Sequence, residues 1–184
     1  MKLTTKNSKL KTAFTLTELI IVVLMIALFF SLAQVRLFGM LRRNTFRARL
    51  QDFVSAMQMA AHGAAESDKR YEVIVDLAEQ SYLLRQISSD NLSDVLEEEV
   101  IVWNDFGDNC WLAYVEFDDG DFTNEGRARF RVGHAGWQYG GKMVFLDEEE
   151  RIYSVVVNRL NPAVTLTEGD AQLLLTRSES EIPF

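Results

Sequence analysis

Few residues in this chain have the types and spacing to do chemistry. Asp118, Asp119 and Asp121, with Asn124 and Glu125 close by, crowd one short stretch. Hard cations take oxygen ligands at that density, which makes Asp118, Asp119 and Asp121 calcium candidates. Their spacing is not that of an EF-hand loop, and acidic turns containing glycine are usually solvated connectors. The chain has two histidines, His62 and His134, and one cysteine, Cys110. That excludes an internal disulfide and any zinc site built on paired cysteines. It also leaves no histidine beside a serine or carboxylate at a telling distance, so no catalytic residue is expected and the chain is not read as an enzyme. No cofactor is expected. Arg127, Arg129 and Arg131 recur at every second position, a basic stripe that could meet phosphate. With 27 acids against 19 bases in 184 residues, a net charge of −8, nucleic acid is an unfavoured partner. Trp103, Trp111 and Trp137 read as core or rim aromatics, with a partner-binding patch as the alternative. The most unusual group is Glu18, a carboxylate at the entrance of a long apolar run.

The polarity along the chain sets Glu18 apart. Residues 1–12 carry Lys2, Lys6, Lys9 and Lys11 and no acid, and Leu19 to Val35 is a 17-residue run without charge. At about 1.5 Å per residue that run reaches roughly 25 Å, near the short end of what crosses a bilayer as a helix. The lysines before it predict a cytoplasmic N-terminus and place the rest of the chain on the far side. An ordinary secretory signal is also compatible, with small residues at Ser31-Leu32-Ala33 and a soluble β-domain released from Gln34 onward. Neither a signal peptide nor a plain anchor explains Glu18, because a lone carboxylate in lipid costs about 2.5–3.5 kcal/mol at a helix centre.

Ala13-Phe14-Thr15-Leu16-Thr17-Glu18, after a basic leader and before a long apolar run, resembles the N-terminus of type IV pilins and pseudopilins. The resemblance covers about the first 35 residues. It implies cleavage between Ala13 and Phe14 by a prepilin peptidase, N-methylation of Phe14, and an assembly role for Glu18. The family's usual residue before the cut is glycine, where this chain has Ala13. The freed amine of Phe14 lies one helical turn from Glu18, and the same pair on a neighbouring subunit comes within reach when helices slide axially. An ion pair in low dielectric offsets its desolvation only with good geometry. Pairing between subunits would therefore favour assembly and set the register of a filament.

Downstream, Phe46, Leu50, Phe53, Met57, Ala60, Ala61 and Ala64 recur at spacings of three and four, one face of an amphipathic helix. Gly63 and Ser67-Asp68 mark its end. Arg36, Arg42, Arg43, Arg47 and Arg49 form a basic collar along it. Beyond it the chain reads as strands: a hairpin over 71–87, then runs at 100–103, 111–117, 128–132, 143–146, 152–157, 164–166 and 173–176. Asp118-Asp119-Gly120, Gly140-Gly141 and Asn161-Pro162 separate them as turns. The acidic runs at 97–99 and 147–150 read as exposed. The expected fold class is α+β: a long N-terminal helix, transmembrane then amphipathic, packed on an antiparallel β-sandwich-like head. The expected domains are a leader at 1–13, a transmembrane segment at 14–38, an amphipathic stem at 39–66 and a periplasmic head at 67–184.

That order of elements is similar to the H-type minor pseudopilins of type II secretion (GspH/FimT-like). The resemblance implies a structural subunit of a periplasmic pseudopilus, held in the inner membrane by a single pass. Its partners would be other pseudopilins or pilins in a filament, the prepilin peptidase, inner-membrane lipid and secreted cargo. A minor type IV pilus subunit, serving adhesion, pilus assembly or DNA uptake, is the alternative within the same family.

Overall fold

A computed structural model describes residues 15–88, 92, 94–159 and 161–173. The leader at 1–13, Phe14 and most of the strand expected at 173–176 lie outside the described residues. Contacts divide the chain into two units, Met1–Leu41 and Arg42–Phe184. Helix α1, Leu16–Glu66, contributes to both. It begins where Thr15 offers its carbonyl and hydroxyl oxygens to the N–H of Glu18, at 3.1 and 3.3 Å. It stops where Ser67 turns its N–H and hydroxyl onto the carbonyl of Gly63.

Among the described residues, the second unit holds ten strands in two five-stranded antiparallel sheets. They are β1 Arg70–Asp76, β2 Ser81–Ile87, β3 Val100–Asp105, β4 Cys110–Phe117, β5 Phe122–Thr123, β6 Arg127–Gly133, β7 Gly136–Trp137, β8 Gly141–Asp147, β9 Ile152–Asn158 and β10 Asn161–Glu168. The first sheet runs β3-β2-β1-β6-β7 and the second β10-β9-β8-β4-β5. A short 3₁₀ turn, Glu97–Glu99, leads into β3.

Strand alternation explains how the core forms. In β6, Ala128, Phe130 and Val132 are buried on one face while Arg127, Arg129 and Arg131 take the other. Val73, Val75 and Leu84 of the first sheet, and Leu112, Val115, Met143, Phe145, Val155 and Val157 of the second, are buried in the same cluster. The later part of α1 completes it. Phe46, Leu50, Phe53, Met57, Ala60 and Ala64 are all within 1 % of full burial, each large one contributing about 1.5–3 kcal/mol relative to exposure. The ring of Phe53 lies 4.9 Å from Tyr82 of β2 and 5.6 Å from Phe145 of β8, so one helical side chain meets both sheets.

Several expectations need correction. The chain is mostly antiparallel β, with α1 and one 3₁₀ turn as its helices among the described residues, and none of these is long and apolar enough to cross a membrane. The α+β class with a transmembrane segment at 14–38 is therefore withdrawn. So are the transmembrane and inner-membrane descriptors and the single-pass placement with a cytoplasmic N-terminus and periplasmic head. The uncharged run lies at the short end of the lengths that cross a bilayer as a helix. Its 17 residues span roughly 25 Å, short of a hydrocarbon thickness of about 30 Å. Arg36 then ends it. Asn161-Pro162, expected as a turn, opens β10 instead. A proline is tolerated there because β10 is an edge strand, and the register shifts between Asn161 and Val164. Glu99 was expected in an exposed run and is 3 % exposed.

Candidate functional site

From Leu16 to Leu32, α1 presents apolar side chains around its whole circumference, with Thr17, Glu18 and Ser31 as its polar residues. Every described side chain from 15 to 32 is exposed. Val22, the least exposed large apolar residue there, is 46 % exposed, and Leu16 reaches 79 %. A helix apolar on one stripe packs on a core, whereas a helix apolar on all sides is covered on all sides in its working state. Glu18 is the single charged residue among residues 15–32. Thr15-Leu16-Thr17-Glu18 also has the spacing of a capping box, a signal that sequence reading passed over. An acid in the first turn is favourable beside the positive end of the helix. Ala13 and Phe14 lie outside the described residues.

The basic stripe of β6 faces acids. Across β1, the register sets Glu72 between Arg85 of β2 and Arg131 of β6, and pairs Asp76 with Arg127. Arg85 and Glu72 are fully buried, and the Arg85 guanidinium reaches Glu72 at 2.6 and 2.8 Å and Glu99 at 3.0 Å. It also donates to the carbonyls of Leu92 and Asp94. Glu99 accepts in turn from the N–H and hydroxyl of Ser88, at 2.9 and 2.6 Å. Arg131 holds Glu72 at 2.7 Å, and Arg129 donates to the Leu92 carbonyl at 2.8 Å. Burial pushes the Asp76 carboxyl up, but hydrogen bonds from Arg127 and from the N–H groups of Glu79 and Ala78 outweigh it and hold it below its ordinary value. The guanidiniums that could have met phosphate are thus already engaged. Arg85, Glu72 and Glu99 were not singled out from sequence, because isolated charges in strand-like runs carry no local sign of burial.

The acidic stretch after β4 is similarly occupied. Both carboxylate oxygens of Asp118 accept from Arg159, at 2.5 and 2.6 Å. The guanidinium of Arg159 stacks over Tyr139 at 5.3 Å. Asp119 accepts from the N–H of Asp121 at 3.2 Å, closing a local turn. Among the described residues no group of three or more His, Cys, Asp or Glu is placed to hold a metal ion. Nearby, Lys142 is nearly buried between Glu116 at 3.0 Å and Asp170 at 2.7 Å, with the ring of Tyr114 beneath it. Burial lowers its affinity for a proton, yet the two carboxylates outweigh that and raise it above the ordinary lysine value.

His62 and His134 are exposed and lie on separate elements, α1 and the β6–β7 connection. Cys110 is buried, and burial pushes its thiol up to about 12. It is therefore a thiol, not a thiolate, at neutral pH. Iodoacetamide at pH 8 should leave native protein unlabelled and modify Cys110 only after unfolding; rapid labelling of folded protein, read by mass spectrometry, would contradict this. Of the three tryptophans, Trp137 is buried while Trp103 and Trp111 are 62 % and 57 % exposed. Compared with known proteins, the chain matches no protein family, no curated protein and no solved structure.

Proposed function

We propose that this protein is a structural subunit that assembles through the N-terminal part of α1 into a filament of the type IV pilin kind, as a minor pseudopilin of a type II protein secretion system. The observation that carries the reading is the helix over residues 16–32, which exposes apolar side chains on every side and carries Glu18 as its only charge. Such a surface is stable in water only when neighbouring chains cover it, and equivalent helices of other subunits are covers of the right shape and chemistry. The resemblance of Ala13-Phe14 and Glu18 to the pilin motif supplies the rest: cleavage between Ala13 and Phe14, methylation of the new amine, and a Glu18 carboxylate that meets the Phe14 amine of an adjoining subunit.

The test separates charge from fold. Glutamine at position 18 preserves the capping-box pattern and removes only the charge. Glu18→Gln should shift thermal unfolding by no more than about 1 kcal/mol, the loss of one exposed charge in the first helical turn. It should reduce incorporation into sheared filaments, or cross-linking to neighbouring subunits, by about tenfold or more, the equivalent of one 1.4 kcal/mol interaction. Mass spectrometry of mature protein should find N-methylated Phe14 at the N-terminus. A mature chain starting at Gln34, or undiminished incorporation of the variant, would end this reading.

A further inference from the structure

The two sheets end in four edges, and three of them are protected. β5 and β7 are two residues long, and β10 carries Pro162 and a register shift. Short strands, prolines and bulges are the usual ways of blunting an edge. β3 also carries a register shift, opposite Leu84 and Arg85 of β2, but at six residues it is longer than β5 and β7, it has no proline and no lysine, and no strand is paired beyond it among the described residues. Its exposed side chains are Ile101 and Trp103, followed by Asn104 and Asp105 at its end. Ile101 is 49 % and Trp103 62 % exposed. Trp103 continues a row across the sheet through Leu83 to Ile74. On the opposite face Val102 packs against the core and stays only partly buried. Both faces of the sheet are therefore incomplete at this edge, and a further strand would finish both.

Charge tells what kind of strand fits. Between Arg85 and Arg127 the chain has no lysine or arginine. Glu97 and Glu98 precede β3, and Asp105 and Asp108 end and follow it, all four exposed. A second copy of β3 suits this edge poorly. Antiparallel pairing would bring Glu97 and Glu98 of one copy beside Asp105 and Asp108 of the other, and parallel pairing would align like with like. We propose that β3 is a strand-addition site for an extended segment of another protein, β-branched or apolar at its centre and flanked by lysine or arginine. Main-chain hydrogen bonds would supply affinity, and the Trp103 and Ile101 surface with its acidic ends would supply selectivity. This site lies in the head and stands independently of the filament reading.

The experiment uses the full chain in mild detergent and a fluorescein-labelled probe peptide, Lys-Lys-Thr-Val-Thr-Val-Thr-Lys-Lys. Two control peptides replace the lysines by glutamates or the central threonine by proline. Fluorescence anisotropy should show the basic peptide binding at least about tenfold tighter than either control, a difference of about 1.4 kcal/mol. Trp103→Ala should weaken it by about the same factor, as truncating an aromatic anchor does, and hydrogen exchange should slow at residues 100–105. A thermal melt establishes that the variant is folded, and Ile101→Lys, at a half-exposed position, provides a second check. Equal binding of the proline control would reduce the contact to charge attraction and overturn strand addition. So would protection located away from β3, or tight binding that survives both substitutions. Trp103-dependent self-association without peptide would assign the edge to a second copy and overturn the proposal too.

Discussion

Replacing Arg85 with methionine is expected to destabilise the head by about 3–5 kcal/mol, the range found when one member of a buried ion pair is removed. Methionine roughly fills the aliphatic stem, so the loss is electrostatic more than steric. Arg85 is fully buried and meets two acids, Glu72 and Glu99, that are themselves buried. Glu72 keeps Arg131 in the variant and Glu99 keeps Ser88, which holds the cost inside that range. The backbone at Leu92 and Asp94 would loosen as well, because Arg85 grips their carbonyls. Urea unfolding should therefore show a lower midpoint, and amide exchange should rise around Glu99 before the rest of the head opens. Adding Glu99→Gln to Arg85→Met should recover part of the loss, since it removes a buried negative charge that faced Arg85. A loss below about 1 kcal/mol would show that water already solvates this cluster.

The contrast between what was legible from sequence and what was not follows the range of each interaction. The apolar period from Phe46 to Ala64 and the alternation from Ala128 to Val132 are local signals, and the same side chains are buried in the structure. The stripe Arg127, Arg129, Arg131 was equally legible as a pattern. Its meaning was not, because the acids that answer it sit on β1, more than fifty positions earlier, at Asp76 and Glu72. Glu99 illustrates the same point inside a run of three acids: the 3₁₀ turn points one of them inward to Arg85 and leaves Glu97 and Glu98 outside. Asp118 looked like a cation ligand beside Asp119 and Asp121 until Arg159, 41 residues on, closed over it. At the candidate assembly site, Glu18 could be singled out by its contrast with the apolar residues after it. Its capping geometry with Thr15 was available from the same four residues. The membrane expectation rested on a run of 17 uncharged residues, at the short end of the lengths that cross a bilayer, and no helix among the described residues is long and apolar enough to cross.

The largest single-residue effect should come from Phe53→Ala. Phe53 is fully buried, and its ring stacks edge-on to Tyr82 at 4.9 Å and Phe106 at 5.4 Å and packs tilted against Phe145 at 5.6 Å. Truncating such a side chain removes its transfer free energy and leaves a cavity that surrounding rings fill only in part, together about 3–5 kcal/mol. The aromatic contacts contribute further, about 0.5–1.5 kcal/mol per favourable pair. At about 2–4 °C per kcal/mol for a chain of this size, the melting temperature should fall by roughly 10 °C or more. Phe29→Ala makes the comparison informative, because Phe29 lies on the same helix and is 67 % exposed. Its removal should shift the melt of the head by about 0.5 kcal/mol or less, as surface substitutions do, while weakening association between chains. If both variants melt alike, the later part of α1 does not belong to the core that the two sheets share. If Phe29→Ala leaves association intact, the apolar helix is covered by something other than its counterparts.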